Sequence, residues 1–158
     1  MFGTANTVPD EKDVLAARRA KKILVVDDED AVVRLIQLQL KFEGYQVITA
    51  YDGLEALEKV ATEKPDLVVL DIMMPKVDGW VVCHSIKSHM ETKNTRVIIL
   101  SAKTQIMAKI KGLYIYQAEL YMTKPFDLDE LSSNISKLLS IDEEARDLSN
   151  KSQQPAVA

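Results

Sequence analysis

The sequence predicts an α/β fold built on a doubly wound sheet of five parallel strands, and three observations carry that prediction. Short β-branched runs recur at roughly even spacing, each is followed by helix-like sequence, and three of the runs are continuously apolar. Ile23-Leu24-Val25-Val26, Leu67-Val68-Val69-Leu70 and Val97-Ile98-Ile99-Leu100 show no polar alternation. Strands of that kind are buried on both faces, so helices must cover both sides of a parallel sheet.

Each element can be justified in order. Residues 1–20 form an N-terminal extension in which Asp10 and Glu11 come first and Arg18, Arg19, Lys21 and Lys22 come last. That charge order suits a helix dipole, and a short extra helix is predicted there. After the first strand, Ile23 to Val26, the residues Val32, Ile36 and Leu40 repeat every four positions, and Gly44 supplies a stop. The second strand, Gln46 to Ala50, precedes a helix from Leu54 to Ala61 that ends before Pro65. The third strand, Leu67 to Leu70, leads to a helix running from Trp80 through Val82 and Ile86 to Met90. Following the fourth strand, Arg96 to Leu100, a less regular helix covers Gln105 to Leu113. The fifth strand, Leu120 to Thr123, hands on to a helix capped by Asp127, with Glu130 at the capping-box position. Right-handed crossovers leave few topologies for this (βα)5 pattern, and the flavodoxin-like order 2-1-3-4-5 is expected. The domain then spans 21–141, and 142–158 read as a helix end and a flexible tail, since periodicity fades from Ser149 to Ala158.

Bulk properties exclude several classes. The 158 residues suit one domain, and 47% hydrophobic with 28% charged residues is ordinary for a globular chain. A formal charge of −4 provides no basic field for a polyanion, so nucleic acid is not an expected partner. Cys83 is the sole cysteine and cannot form an intramolecular disulfide, which fits a reducing cytosol and a cytoplasmic location. With two histidines in the chain, Cys83 and His84 make no credible zinc set. No apolar run approaches the ~18 residues of a membrane span, and Asp10 to Asp13 interrupt any secretory signal, so no membrane partner is expected.

In an open doubly wound sheet, ligands bind beyond the carboxyl ends of strands one and three, where the winding reverses. Asp27 and Asp28 follow strand one, and Asp71 follows strand three. Asp28 alone reads as a helix cap, but capping does not explain a third acid delivered by another strand. Three clustered carboxylates call for a cation. Magnesium suits carboxylates, waters and phosphate oxygens, whereas the lack of histidine or thiolate argues against zinc or copper. Strands four and five end in Ser101 and Lys124, a hydroxyl donor and an ammonium suited to phosphate oxygens. Singly each is ordinary surface; together they complete a phosphate cradle.

The residues Val25-Val26-Asp27-Asp28-Glu29, Asp71-Ile72-Met73-Met74-Pro75 with Asp78-Gly79, Leu100-Ser101-Ala102 and Tyr121-Met122-Thr123-Lys124-Pro125-Phe126 lie in order at strand ends. In these the chain resembles the response-regulator receiver family of two-component signalling, over about residues 21 to 141. The resemblance implies that Asp71 is the phosphoacceptor. It implies that magnesium is held by Asp28, Asp71 and the backbone carbonyl of Met73, with Asp27 acting through a metal-bound water. It further implies that Ser101, the Ala102 N–H and Lys124 bind the phosphoryl oxygens, that the Lys124–Pro125 peptide is cis, and that Ser101 and Tyr121 form a switch pair. Met73 and Lys103 flank the site without groups that orient an attacking water, which implies a long-lived phosphoryl group.

The expected function is that of a phosphoacceptor receiver, fed by a histidine kinase or a histidine phosphotransfer protein. It is no enzyme beyond its own phosphoryl transfer and slow autodephosphorylation. Residues 142–158 are too few for an output domain, so signalling is expected through protein contact with an unidentified downstream partner. The surface expected for this, or for a homodimer, is the face of helix four, strand five and helix five, where Tyr114, Ile115, Tyr116, Leu120, Tyr121 and Met122 crowd together. The same region departs from the family pattern, because 112–119 replaces the usual small-residue turn. The alternative is a degenerate receiver that binds partners without phosphorylation. An enzyme on a similar fold is disfavoured, since no G-x-G-x-x-G, G-x-x-x-x-G-K-[ST] or G-x-S-x-G occurs.

Overall fold

The structure is a computed structural model and describes residues 8–102 and 106–153. Among these residues the chain forms α1 (Glu11–Arg19), β1 (Lys22–Val26), α2 (Asp30–Phe42), β2 (Gln46–Ala50), α3 (Gly53–Glu63), β3 (Leu67–Leu70) and α4 (Gly79–Ser88). It continues with β4 (Arg96–Ser101), α5 (Ile106–Ile110), a π-helical turn (Lys111–Ile115), β5 (Leu120–Thr123), α6 (Leu128–Leu138) and α7 (Ile141–Gln153). All strand pairs are parallel, and the sheet order is β2-β1-β3-β4-β5, as the apolar runs and the crossover rule predict.

Alternation along each strand splits the core into two layers. Ile23 and Val25, Leu67 and Val69, Ile98 and Leu100 meet residues of α2, α6 and α7 on one face. Leu24 and Val26, Val68 and Leu70, Val97 and Ile99 meet residues of α3 and α4 on the other. Short polar side chains start the helices. Asp52 accepts from the Glu55 N–H at 2.8 Å, Asp78 from Val81 at 3.1 Å and Asp127 from Glu130 at 3.0 Å. Each satisfies a donor that the first helical turn leaves unpaired. Gly44 ends α2 with φ 108°, and its open flank receives Leu15 of α1, whose Cδ1 lies 2.5 Å from where a Cβ would stand.

Three expectations change. In place of a helix end and a flexible tail from Ser149, α7 runs to Gln153, while 154–158 lie outside the described residues. Its polar sequence conceals why it folds: Ile141 and Ala145 are fully buried with Ala17 of α1 in the same apolar cluster, and Lys21 pairs with Glu144 at 2.8 Å. The predicted extra helix, α1, supplies that packing surface. The helix expected over Gln105–Leu113 is instead a short α5 followed by the π-helical turn, with Gln105 outside the described residues. Tyr116 and Tyr121, expected on an exposed face, are half-buried and buried respectively.

Candidate functional site

Strand pairing builds the site one residue beyond the β1–β3 ladder. Val26 faces Leu70 in register, so Asp27 and Asp71 emerge side by side. Their amides extend the sheet: Asp27 N–H donates to the Ala50 carbonyl at 3.2 Å and Asp71 N–H to the Val26 carbonyl at 3.0 Å. Carboxylate oxygens of Asp27, Asp28 and Asp71 all lie within 4.8 Å of one another, with Asp27 and Asp71 buried and Asp28 exposed. No other such cluster occurs among the described residues.

Lys124 reaches this cluster from the end of β5. Its backbone N–H donates to the Ser101 carbonyl at 2.8 Å, prolonging the β4–β5 pairing, and the Lys124–Pro125 peptide is cis. Its ammonium donates to Asp27 Oδ2 at 2.6 Å and lies 3.7 Å from Asp71 Oδ2 and 3.8 Å from Glu29 Oε1. Asp27 is held further by the Glu29 N–H at 2.9 Å, and Asp71 Oδ1 accepts from the Met73 N–H at 3.2 Å. Ser101 is fully buried at the end of β4, next to an exposed Ala102. Tyr121 is 5% exposed and packs with Ile99, its register partner, on the face that carries α4. Alternation places Ser101 on that same face. Thus Asp27, Asp28, Asp71, Ser101 and Lys124 converge, Met73 adjoins them, and Tyr121 stands one pleat away; Lys103 lies outside the described residues.

The electrostatics follow from the crowding. Burial, then the charge of Asp27, pushes the Asp71 carboxyl up to about 6, against the opposing pull of Lys124 and the Met73 N–H. For Lys124, burial disfavours the ammonium, but the Asp27 hydrogen bond and the charges of Asp71, Asp27 and Glu29 outweigh it and raise its pKa. A divalent cation fits this environment. The donors are all oxygens, two of the acids are fixed, and the exposed third leaves room for the waters that magnesium retains. Glu29, which the sequence reading passed over, is the one further acid that Lys124 approaches within 4 Å among the described residues.

Fold and site together define a receiver of the two-component type, and the comparisons agree. The model of the response regulator receiver domain matches residues 23–136. The chain belongs to the response regulator receiver domain family. It is 47% identical over 119 residues to the alkaline phosphatase synthesis transcriptional regulatory protein PhoP of Bacillus subtilis, covering 75% of this chain and 48% of that protein. Against the DNA-binding dual master transcriptional regulator RpaA of Synechocystis it is 38% identical over 118 residues, covering 75% and 48%. The chain therefore spans about half the length of the curated relatives it matches. Among solved structures, the receiver domain of a Francisella response regulator superposes with a TM-score of 0.71 at 36% identity, covering 76% of this chain and 97% of that one. The chemotaxis response regulator CheY4 of Vibrio cholerae gives 0.70 at 28%, covering 75% and 98%. Among the described residues no helix is long and apolar enough to cross a membrane.

Proposed function

We propose that Asp71 accepts a phosphoryl group from a histidine kinase or histidine phosphotransfer protein in the cytoplasm, and that the chain signals by protein contact. One observation carries this: a buried Asp71, flanked by Asp27 and Asp28, faces the Lys124 ammonium at 3.7 Å. A carboxylate oxygen of Asp71 attacks phosphorus, and the bond to the donor imidazole nitrogen breaks with its electron pair. Lys124 and the Ser101 hydroxyl, with the Ala102 N–H, receive the phosphoryl oxygens, where charge develops in transfer. Magnesium, when bound, would neutralise phosphoryl charge; Asp28, Asp71 and the Met73 carbonyl would hold it, and Asp27 would contact one of its waters.

The reading includes no turnover of other substrates. The output surface would be the exposed apolar side of α5 and the π-helical turn, where Ile106, Met107, Tyr114 and Ile115 are each at least two-thirds exposed. That surface would take a downstream protein or a second copy of the chain. Incubation with acetyl phosphate and magnesium should raise the intact mass by one phosphoryl group, and Asp71→Asn should abolish the gain. Full incorporation in that variant would move the acceptor elsewhere, and none in the parent would favour the degenerate receiver.

A further inference from the structure

The segment 112–119, where the sequence departs from its family, is gripped by one face of α4. Trp80, Cys83 and Lys87 stand at i, i+3 and i+7, a spacing that aligns them along a single stripe. The Trp80 ring stacks on Tyr116, with centroids 4.8 Å apart and planes inclined by 28°. Cys83 Sγ donates to the Tyr116 carbonyl at 3.4 Å. Lys87, its side chain 8% exposed, pairs with Glu119 and donates to the Thr95 carbonyl at 2.7 Å, while Glu119 also accepts from the Val97 N–H at 2.6 Å. Beside the ring pair the Lys111 ammonium lies 5.6 Å from the Trp80 centroid and 5.7 Å from that of Tyr116, within cation–π range. Three contacts of different chemistry thus fix residues 116–119 to one helix.

The first residue of that helix, one position before Trp80, is fixed to the acceptor. A Cβ at Gly79, the first residue of α4, would stand 2.2 Å from the Asp71 carbonyl oxygen and 2.7 Å from Ile72 Cα. The Gly79 N–H donates to the Ile72 carbonyl at 2.9 Å. With Gly79 packed directly on the Asp71–Ile72 backbone, a displacement of the Asp71 peptide carries the first turn of α4 with it. From Gly79 to Lys87 the helix rises about 12 Å, so a rigid-body movement begun at Gly79 reaches every residue of the stripe.

We infer that α4 couples the Asp71 site to the connection between α5 and β5 through the Trp80, Cys83 and Lys87 stripe, beside the Ser101 and Tyr121 pair. The inference rests on the phosphoacceptor reading of Asp71. Through it, the state of Asp71 sets how firmly residues 116–119 are held, and with them the presentation of Tyr114 and Ile115. Coupling is reciprocal, so loosening the grip must also alter the site.

Trp80 is the sole tryptophan, which makes its emission a direct reporter. The test treats the parent, Tyr116→Leu and Tyr116→Phe with acetyl phosphate and magnesium. Intact mass reads phosphoryl uptake, while Trp80 emission and hydrogen exchange over 113–119 read the connection. In the parent, uptake should shift the emission and change the exchange rates by about fivefold or more. Tyr116→Phe, which keeps the stacked ring, should respond as the parent does. Tyr116→Leu should take up the phosphoryl group with its exchange over 116–119 no longer responding, and should lose that group at a changed rate. Tyr116→Met reads the same contact if the leucine variant melts without cooperativity. Equal responses in parent and Tyr116→Leu at equal uptake would overturn the coupling. Failure of the parent to gain mass would count against the acceptor reading instead, and the coupling would then be decided by Asp71→Asn. A change in 113–119 exchange on that substitution, absent in a Tyr116→Leu background, supports it; no change overturns it.

Discussion

At the scale of single residues, Asp71 is a buried acid beside two others, and its raised pKa is a statement about stability. An unfolded aspartate titrates near 3.8, and Asp71 in the fold near 6. A raised folded pKa stabilises the fold below pH 4, and that contribution is lost as pH rises through 6. Two units at ~1.4 kcal/mol each set a ceiling of about 3 kcal/mol. Asp71→Asn should therefore melt like the parent at pH 4 and exceed it by up to about 3 kcal/mol at pH 7 without metal, as measured by urea midpoints. A difference that shrinks with rising pH would contradict the burial argument. Lys124 and Asp28 should separate by another measurement. Asp28→Asn removes a proposed ligand and should lower magnesium affinity clearly, whereas Lys124→Ala removes a competing cation and should lower it little, while both should impair phosphoryl uptake. Equal losses of magnesium affinity in a titration would contradict these roles.

At the scale of elements, the strands and the Asp127 cap were legible because their signals are local. Apolar runs need only neighbouring residues to be recognised, and Asp127 with Glu130 lie within one turn. The acid cluster was legible as well, since topology alone delivers Asp27 and Asp71 to adjacent strand ends. What stayed hidden is made of distant pairs. Glu119 meets Lys87 across 32 positions, and nothing in 112–119 announces that Tyr116 lies on Trp80. Likewise α7 is polar enough to read as a tail, and only Ile141 and Ala145 against α1 make it a stable helix. Ala145→Asp should then cost about 2–4 kcal/mol by burying an unpaired charge, and should raise exchange across 141–153 before the sheet opens. Wild-type exchange in that variant would mean that α7 does not depend on its buried stripe.

At the scale of the whole molecule, the exposed apolar side of α5 and the π-helical turn is the surface whose loss should silence output and leave the chemistry intact. Tyr114→Ser with Ile115→Ser should leave phosphoryl uptake unchanged and weaken self-association or partner capture, read by sedimentation of the phosphorylated chain. If the parent self-associates and the double variant does so equally, the output face lies elsewhere. The pairing of α1 with α7 has a consequence of a different order. Both helices adjoin the edge of the sheet where strands begin, and the acids stand at the edge where strands end, about 16 Å away along five residues. A label placed on the first turn of α7 would share that pole with the end of α1. Phosphoryl donors would approach the other pole, so such a label would register Asp71 through the body of the fold.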